Sequence, residues 1–227
     1  MELTPAEELL LVCSSTTNGR LSAREPCTIA VAGAVLVELA LHGRVVVRER
    51  RLIAVDGGDD GRLGGQVGPR AEEWWKRVRA HDRTRQPRYW VRAAVTDKVY
   101  AKVRSGLGDR GLLRSERRRA LGLFPYTRWT VTDPAAVLGI RERMARAVSG
   151  GGADERTVAL VLLADAGQLS RALLPRADRR SRKETLKKLS QGPWTGEETG
   201  EAVRAVAKAV GAVVSAAQAA HAAQASG

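Results

Sequence analysis

The longest apolar run in the chain covers residues 29–41, and a single charged residue, Glu38, interrupts it. The apolar side chains of this run recur at the three- and four-residue spacing of one buried helix face. A helix that crosses a membrane needs about 20 apolar residues, so the segment is too short to span one. The run therefore predicts a helix with one buried face and not a membrane-spanning segment.

Similar spacing predicts helices along most of the chain. The first begins at a capping box, in which Thr4 caps, Pro5 takes the first helical position and Glu7 completes the motif. Further helices are expected over residues 72–79, 90–104, 134–148, 157–174, 179–189 and 202–220, and beyond the last one an Ala-rich tail is expected to fray.

Strand signals are short and few. Apolar residues 45–47 and 52–55 on either side of a charged turn predict a small hairpin, and a second hairpin is expected over residues 121–131. Residues 112–123 fit either a strand or a helix. The 227 residues suit one domain. We therefore predict a mainly α protein, a single globular helical domain over residues 1–227 with short β-hairpins and a core at about residues 4–214.

The positive charge of the chain is concentrated in its middle. The net charge is +13, and residues 61–133 carry 18 basic and 7 acidic side chains, a net of +11. Such a field favours a polyanionic partner, of which anionic lipid, nucleic acid and an acidic protein are the three candidates. A solvated basic face without a partner is the alternative.

The second predicted hairpin combines aromatic and basic residues. Aromatic side chains with a polar edge favour the membrane interface, and basic neighbours add attraction to an anionic surface. Packing of the hairpin into the domain, or into another subunit, is the alternative. The residues assigned to this membrane or oligomer hairpin are Leu123, Phe124, Tyr126, Arg128 and Trp129.

Several segments, in the same order, resemble the Golgi phosphoprotein 3-like family. The most specific are residues 34–44, similar to that family's LxELALxGR helix, and residues 121–129, similar to its hairpin. The other similar segments are residues 9–11 with 18–20, 109–113, 156–166 and 191–194. The Ala-, Arg- and Gly-rich composition suggests a bacterial member of the family.

This resemblance implies a single helical domain that binds phosphatidylinositol 4-phosphate and, in eukaryotes, the tails of Golgi enzymes. The positions of the family's lipid pocket are occupied here by Ala23 or Arg24, by Ala32, and by residues near Asp97 and Tyr100. A looser anionic head-group site is therefore predicted from four nearby basic residues, Arg20, Arg24, Lys98 and Lys102.

Signals for catalysis, metals and cofactors are weak. The G-x-G-x-x-G match at residues 106–111 follows a helical pattern, whereas a dinucleotide fingerprint follows a strand. Three scattered histidines with Cys13 and Cys27 form no zinc spacing, and both cysteines are expected to be reduced and buried. We therefore expect no catalytic residue, no metal site and no cofactor.

The preferred hypothesis is a non-enzymatic peripheral protein on the cytoplasmic, inner face of a membrane, where it binds anionic phospholipid head groups. The sequence alone leaves two alternatives. One is a nucleic-acid-binding basic protein, which is disfavoured by the lack of a recognition-helix motif. The other is an interaction scaffold that forms a homo-oligomer through the hairpin. A protein client of unknown identity is also possible.

Overall fold

The computed structural model describes residues 2–14, 24–56, 66–120, 124–173, 179–192, 194 and 196–225. The chain begins with helices α1 (Pro5–Ser14) and α2 (Arg24–Leu41), followed by strands β1 (Val45–Arg48) and β2 (Arg51–Ala54). The middle comprises α3 (Pro69–Arg79), α4 (Pro87–Thr96), α5 (Val99–Asp109), β3 (Leu113–Ala120) and β4 (Phe124–Val131). The last elements are α6 (Pro134–Val148), α7 (Glu155–Ala166), α8 (Ser170–Leu173), α9 (Arg179–Ser190) and α10 (Glu197–Ala225).

The fold is mainly α-helical, as predicted from the sequence. Each pair of consecutive strands, β1–β2 and β3–β4, forms a two-stranded antiparallel sheet, and the described residues contain no larger sheet. The predicted fold class, helical with short hairpins, is thereby confirmed. The assignment of residues 1–227 to one domain remains a prediction.

Helix α2 lies at the centre of the core. Its apolar side chains are buried, and it packs against α1, α3, α4, α7 and α10. The approach to α10 is close, because a Cβ atom on Gly33 would stand 2.3 Å from Val210 Cγ2. Only glycine fits this crossing without displacement of the β-branched neighbour. The helix ends where Gly43 adopts a φ of 64°, a left-handed turn that glycine accepts at no steric cost.

Two of the predicted helices are interrupted. Residues 90–104 were expected to form one helix, but α4 ends at Thr96 and α5 begins at Val99, with Lys98 between them at a φ of 56°. The predicted helix over residues 157–174 likewise divides into α7 and α8, with Gln168 at a φ of 57°. In both cases a residue other than glycine adopts a left-handed conformation, which apolar periodicity does not signal.

The C-terminal helix is longer than predicted. Helix α10 extends over Glu197–Ala225 and so passes the expected end at residue 220, within the tail that was expected to fray. Among the described residues it is the one helix that is long and apolar enough to cross a membrane, and 44% of its most apolar window is buried inside the fold. Buried Val203, Val206 and Val210 face the core, so this half of the helix is a core element.

The two cysteines contact each other within the core. Cys13 on α1 and Cys27 on α2 are free thiols with no more than 1% of their surface exposed. A hydrogen bond with Cys13, together with burial, raises the pKa of the Cys27 thiol well above its ordinary value. The prediction of reduced, buried cysteines is confirmed for their burial and for the absence of a disulfide.

Candidate functional site

The β3–β4 hairpin begins where α5 ends. Gly111 adopts a φ of 71°, and the turn closes through hydrogen bonds from Gly111 N to Gly108 O (2.9 Å) and from Leu112 N to Leu107 O (2.9 Å). Strand β4 is rich in aromatic and β-branched residues, which favour a pleated surface. It pairs in register with the basic strand β3, from Leu113 opposite Val131 to Ala120 opposite Phe124. The hairpin is thus wider than the predicted range of residues 121–131, and residues 113–120 form a strand.

The base of the hairpin is fixed to the domain. Leu113 is buried, and Trp129 is half-buried against α5. The Trp129 ring approaches so closely that a Cβ atom on Gly108 would lie 3.1 Å from it, and the Arg104 guanidinium stacks on the ring at 4.9 Å. Trp129, one of the predicted membrane or oligomer residues, therefore serves as an anchor between the hairpin and the domain.

Beyond its base the hairpin carries exposed positive charge on both faces. Side chains alternate between the two faces of a strand, so Arg117 and Arg119 follow the face of Leu113 while Arg114 lies on the opposite face. All three arginines are exposed. Five residues at roughly 3.3 Å each carry β3 about 16 Å past Ser115. The hairpin therefore presents a projecting cationic surface, which we call the hairpin arginines (Arg114, Arg117 and Arg119).

The structure describes only part of the other hairpin residues that were selected from the sequence. Arg128 is half-buried opposite Glu116, and its Nε atom is buried without a hydrogen-bond partner among the described residues. The backbones of Phe124 and Tyr126 lie in β4, but their side chains are outside the description. Leu123 lies outside the described residues.

The structure describes the side chains of only two of the four predicted head-group residues, Lys98 and Lys102. Arg20 lies outside the described residues, and Arg24 opens α2, with its side chain outside the description. Lys102, on α5, lines a cavity together with Glu38 of α2. Glu38 lies 14 residues after Arg24 on α2, a separation of about 21 Å along the helix at 1.5 Å per residue. Lys98 is exposed at the break between α4 and α5. Their role in head-group binding remains a prediction.

Lys102 also has carboxylate neighbours of its own. Its Nζ atom donates a 2.5 Å hydrogen bond to Asp97 and lies 3.9 Å from Glu73. This bond from Lys102, assisted by Arg77, holds the pKa of the Asp97 carboxyl below its ordinary value. Because its charge is already paired, Lys102 contributes less attraction to an external anion than an unpaired lysine would.

A cavity of about 580 Å³ lies between the N-terminal capping box and the end of α2. The box forms as predicted, with bonds from Thr4 N to Glu7 Oε2 (2.8 Å) and from Glu7 N to Thr4 Oγ1 (3.3 Å). Glu38, 3% exposed, accepts a 2.7 Å bond from Gly68 N at the cavity wall. The interruption of the apolar run by one carboxylate was the sequence signal for this buried group.

Burial raises the pKa of Glu38 from 4.5 to about 7, although the bond from Gly68 partly opposes the shift. A carboxyl whose pKa is raised on folding stabilises the fold at low pH, and this contribution is lost as the pH rises from about 4.5 to about 7.

Glu38→Gln should remove this pH dependence, because glutamine keeps an oxygen acceptor for Gly68 N and does not ionise. We expect the wild type to lose up to about 3 kcal/mol of unfolding free energy, relative to the variant, between pH 5 and pH 8. Urea denaturation of both proteins at the two pH values measures the difference. An identical difference at pH 5 and pH 8 would contradict it.

A second group of basic residues, not selected from the sequence, surrounds a groove of about 360 Å³. We call it the arginine groove, and its lining consists of Arg51, Arg85, Gln86, Arg88, Tyr89 and Arg92. The i, i+4 spacing of Arg88 and Arg92 was a sequence signal that these two side chains share one helix face, whereas Arg85 precedes α4. The approach of Arg51 from β2 could not be inferred from spacing.

Within the described ranges, no group of three or more His, Cys, Asp or Glu side chains is arranged to hold a metal ion. The glycines of the G-x-G-x-x-G match lie in α5 and its C-terminal turn, after another helix, so the dinucleotide-binding context is absent there.

A comparison with protein families matches residues 6–206 to the model described as Golgi phosphoprotein 3 (GPP34). The match covers the elements from α1 to about the first third of α10 and includes the basic hairpin. A comparison with curated proteins found no match.

Proposed function

The chain belongs to the Golgi phosphoprotein 3 family, and from that premise we propose that it is a peripheral membrane protein that binds anionic phospholipid head groups. The observation that carries the proposal is the set of hairpin arginines, exposed on both faces of a hairpin whose base is fixed by Trp129 and Leu113. A fixed base presents the charges without a large entropic cost.

The charge of this surface supplies the first contribution to binding at an anionic membrane. Each Lys or Arg near such a surface contributes about 1 kcal/mol, so the three hairpin arginines supply about 3 kcal/mol together. The attraction between these charges and the membrane is screened at high salt, so stable attachment needs a second, apolar contribution. The aromatic residues of β4, among them Phe124 and Tyr126, are our candidates for that contribution.

The family resemblance makes phosphatidylinositol 4-phosphate the reference head group. The positions of the family's pocket carry a buried alanine, Ala32, and the paired Asp97 in this chain. We therefore propose a preference for anionic lipid in general over one phosphoinositide, on the cytoplasmic face of the membrane. We propose an adaptor role without catalysis.

Liposome co-sedimentation tests this proposal. The chain is mixed with neutral vesicles, with phosphatidylglycerol vesicles and with vesicles containing phosphatidylinositol 4-phosphate, each at 50 mM and 500 mM salt. We expect binding to both anionic types at low salt, and a loss of at least tenfold at high salt. Salt-resistant binding to the phosphoinositide alone would replace general anionic binding with a specific pocket. No binding to any vesicle would contradict membrane association.

The same preparation distinguishes the nucleic-acid alternative. Nucleic acid would be favoured as the polyanionic partner if the protein bound duplex DNA with a steep salt dependence and bound none of the three vesicle types. For the scaffold alternative, removal of residues 124–129 should change the mass in solution and leave vesicle binding intact. The membrane proposal expects that removal to weaken vesicle binding.

A further inference from the structure

The arginine groove is formed where the β1–β2 hairpin meets the start of α4. Arg51 extends from β2, and Arg85, Arg88 and Arg92 extend from the first turns of α4 and the residues before it. No acidic residue is among the lining residues, and the first turn of α4 contains none. The groove therefore concentrates four positive charges around about 360 Å³.

The walls of the groove are held in place by bonds that leave most of the cationic surface open. Leu52 N donates to Arg85 O (2.8 Å), and Arg51 Nη1 donates to Thr84 O (2.7 Å), so β2 is tied to the segment before α4. The Arg85 guanidinium stacks over Tyr89 at 5.2 Å. A groove built in this way loses little conformational freedom when a ligand binds.

Tyr89 forms the aromatic side of the groove. It is 43% exposed, yet its hydroxyl lies 3.2 Å from His81 Nε2 and its ring meets the ring of buried Trp90 edge-on. An exposed aromatic residue held by two ring neighbours offers a defined surface to a ligand, which a freely rotating side chain would not.

The four guanidinium groups lack the carboxylate partners that neutralise other arginines of this protein. Arg44, Arg110 and Arg143, for example, each pair with a glutamate. Among the described residues, no ion pair joins Arg51, Arg85, Arg88 or Arg92 to a carboxylate. Like charges around one groove repel each other, and a bound anion relieves that repulsion.

We propose that the arginine groove binds the terminal phosphate of a phosphomonoester. A terminal phosphate carries a charge near −2 at neutral pH and three free oxygens, which match the paired N–H donors of several guanidinium groups. A phosphodiester offers one charge and two free oxygens, so it satisfies fewer of the four arginines. The volume accommodates a ligand of the size of a phosphorylated polyol or sugar.

This site is separate from the surface proposed for membrane binding. The hairpin arginines lie on β3, whereas the arginine groove lies on β2 and α4. None of the residues predicted for head-group binding lines the groove, and neither do Ala32, Asp97 or Tyr100. Occupation of the groove therefore does not depend on the proposed function of the hairpin.

Titration calorimetry of the full chain tests the proposal with glycerol 3-phosphate as the monoester probe and dimethyl phosphate as the diester probe. The groove variant carries Arg88→Gln and Arg92→Gln, and the control variant carries Lys183→Gln and Lys187→Gln on α9, outside both proposed anion-binding surfaces. We expect glycerol 3-phosphate to bind the wild type and the control with equal affinity, and to bind the groove variant at least tenfold more weakly. Dimethyl phosphate should bind the wild type at least tenfold more weakly than glycerol 3-phosphate does. All four substituted residues are exposed, and circular dichroism checks that both variants are folded.

Vesicles distinguish a lipid source of the phosphate from a soluble one. Phosphatidic acid has a terminal phosphate, and phosphatidylglycerol has a diester. A preference for phosphatidic acid that the groove variant loses would support a lipid ligand, and monoester binding in solution without that preference would support a soluble one. The proposal is overturned if glycerol 3-phosphate does not bind and phosphatidic acid is not preferred, or if the groove variant binds both as the wild type does.

Discussion

Replacement of Arg114, Arg117 and Arg119 by glutamate should lower the affinity for anionic vesicles by about 10³-fold or more. The three substitutions change the charge of the hairpin by six units, and each unit near an anionic surface is worth about 1 kcal/mol. Because these side chains are exposed and Leu113 and Trp129 hold the base, the fold should survive the change. Co-sedimentation at 50 mM salt, with serial dilution of lipid, measures the loss.

A control variant with the same net charge shows whether the vesicles bind to the hairpin itself or respond to the total charge of the protein. Lys183→Glu, Lys187→Glu and Lys188→Glu make the same change of six units at exposed positions on α9. If the hairpin arginines form the contact, this control should lose less than tenfold. Equal losses in the two variants would mean that total charge, not the hairpin, governs the binding.

The number of basic residues between 61 and 133 overstates the free charge of this region. Arg70 and Arg77 pair with Glu73, Arg79 with Asp56, and Lys102 with Asp97. Exposed ion pairs of this kind stabilise the fold by little, but they remove positive charge from the outer field. Part of the charge that is left lies at the hairpin and in the arginine groove, and these are the two places where our proposals locate anion binding.

Features that depend on residues close together in the chain could be predicted from the sequence. The capping box at Thr4 depends on residues within three positions of one another, and it is present in the structure. The breaks at Lys98 and Gln168 were missed because both residues adopt a left-handed conformation that tertiary packing imposes. Apolar periodicity continues across such a break.

The site residues were harder to predict, because their neighbours are distant in the sequence. Arg51 joins the arginine groove from a position 34 residues before Arg85. Trp129 was assigned to a membrane or oligomer surface from its aromatic neighbours, but its place against Gly108 depends on how β4 folds back on α5. Spacing along one element indicates a face, and it does not indicate what that face meets.

Glu8 illustrates the same point at the centre of the fold, and its loss should have the largest effect on stability. In the sequence it is one of three N-terminal glutamates, but in the structure it is 5% exposed. Its carboxylate accepts bonds from Arg143 Nη2 (2.6 Å) and Arg156 Nε (3.1 Å), and so links α1 to α6 and α7. Glu8→Ala should lower the free energy of unfolding by about 3–5 kcal/mol, because the half-buried Arg156 guanidinium keeps only the exposed Glu2 as a carboxylate partner. Urea denaturation measures the change.

Two further variants identify the cause of that loss. Glu142→Ala makes the same substitution at an exposed site of α6 and should change stability by less than about 0.5 kcal/mol. Glu8→Met combined with Arg156→Met replaces the buried pair by apolar groups, which removes the uncompensated charge together with its partner. If the cost of Glu8→Ala comes from the Arg156 guanidinium that has lost its partner, the double variant should be more stable than the summed effects of Glu8→Met and Arg156→Met predict. The expected difference is at least about 1 kcal/mol. Additive effects would show instead that Glu8 acts by filling space between α1 and α7, independently of its charge.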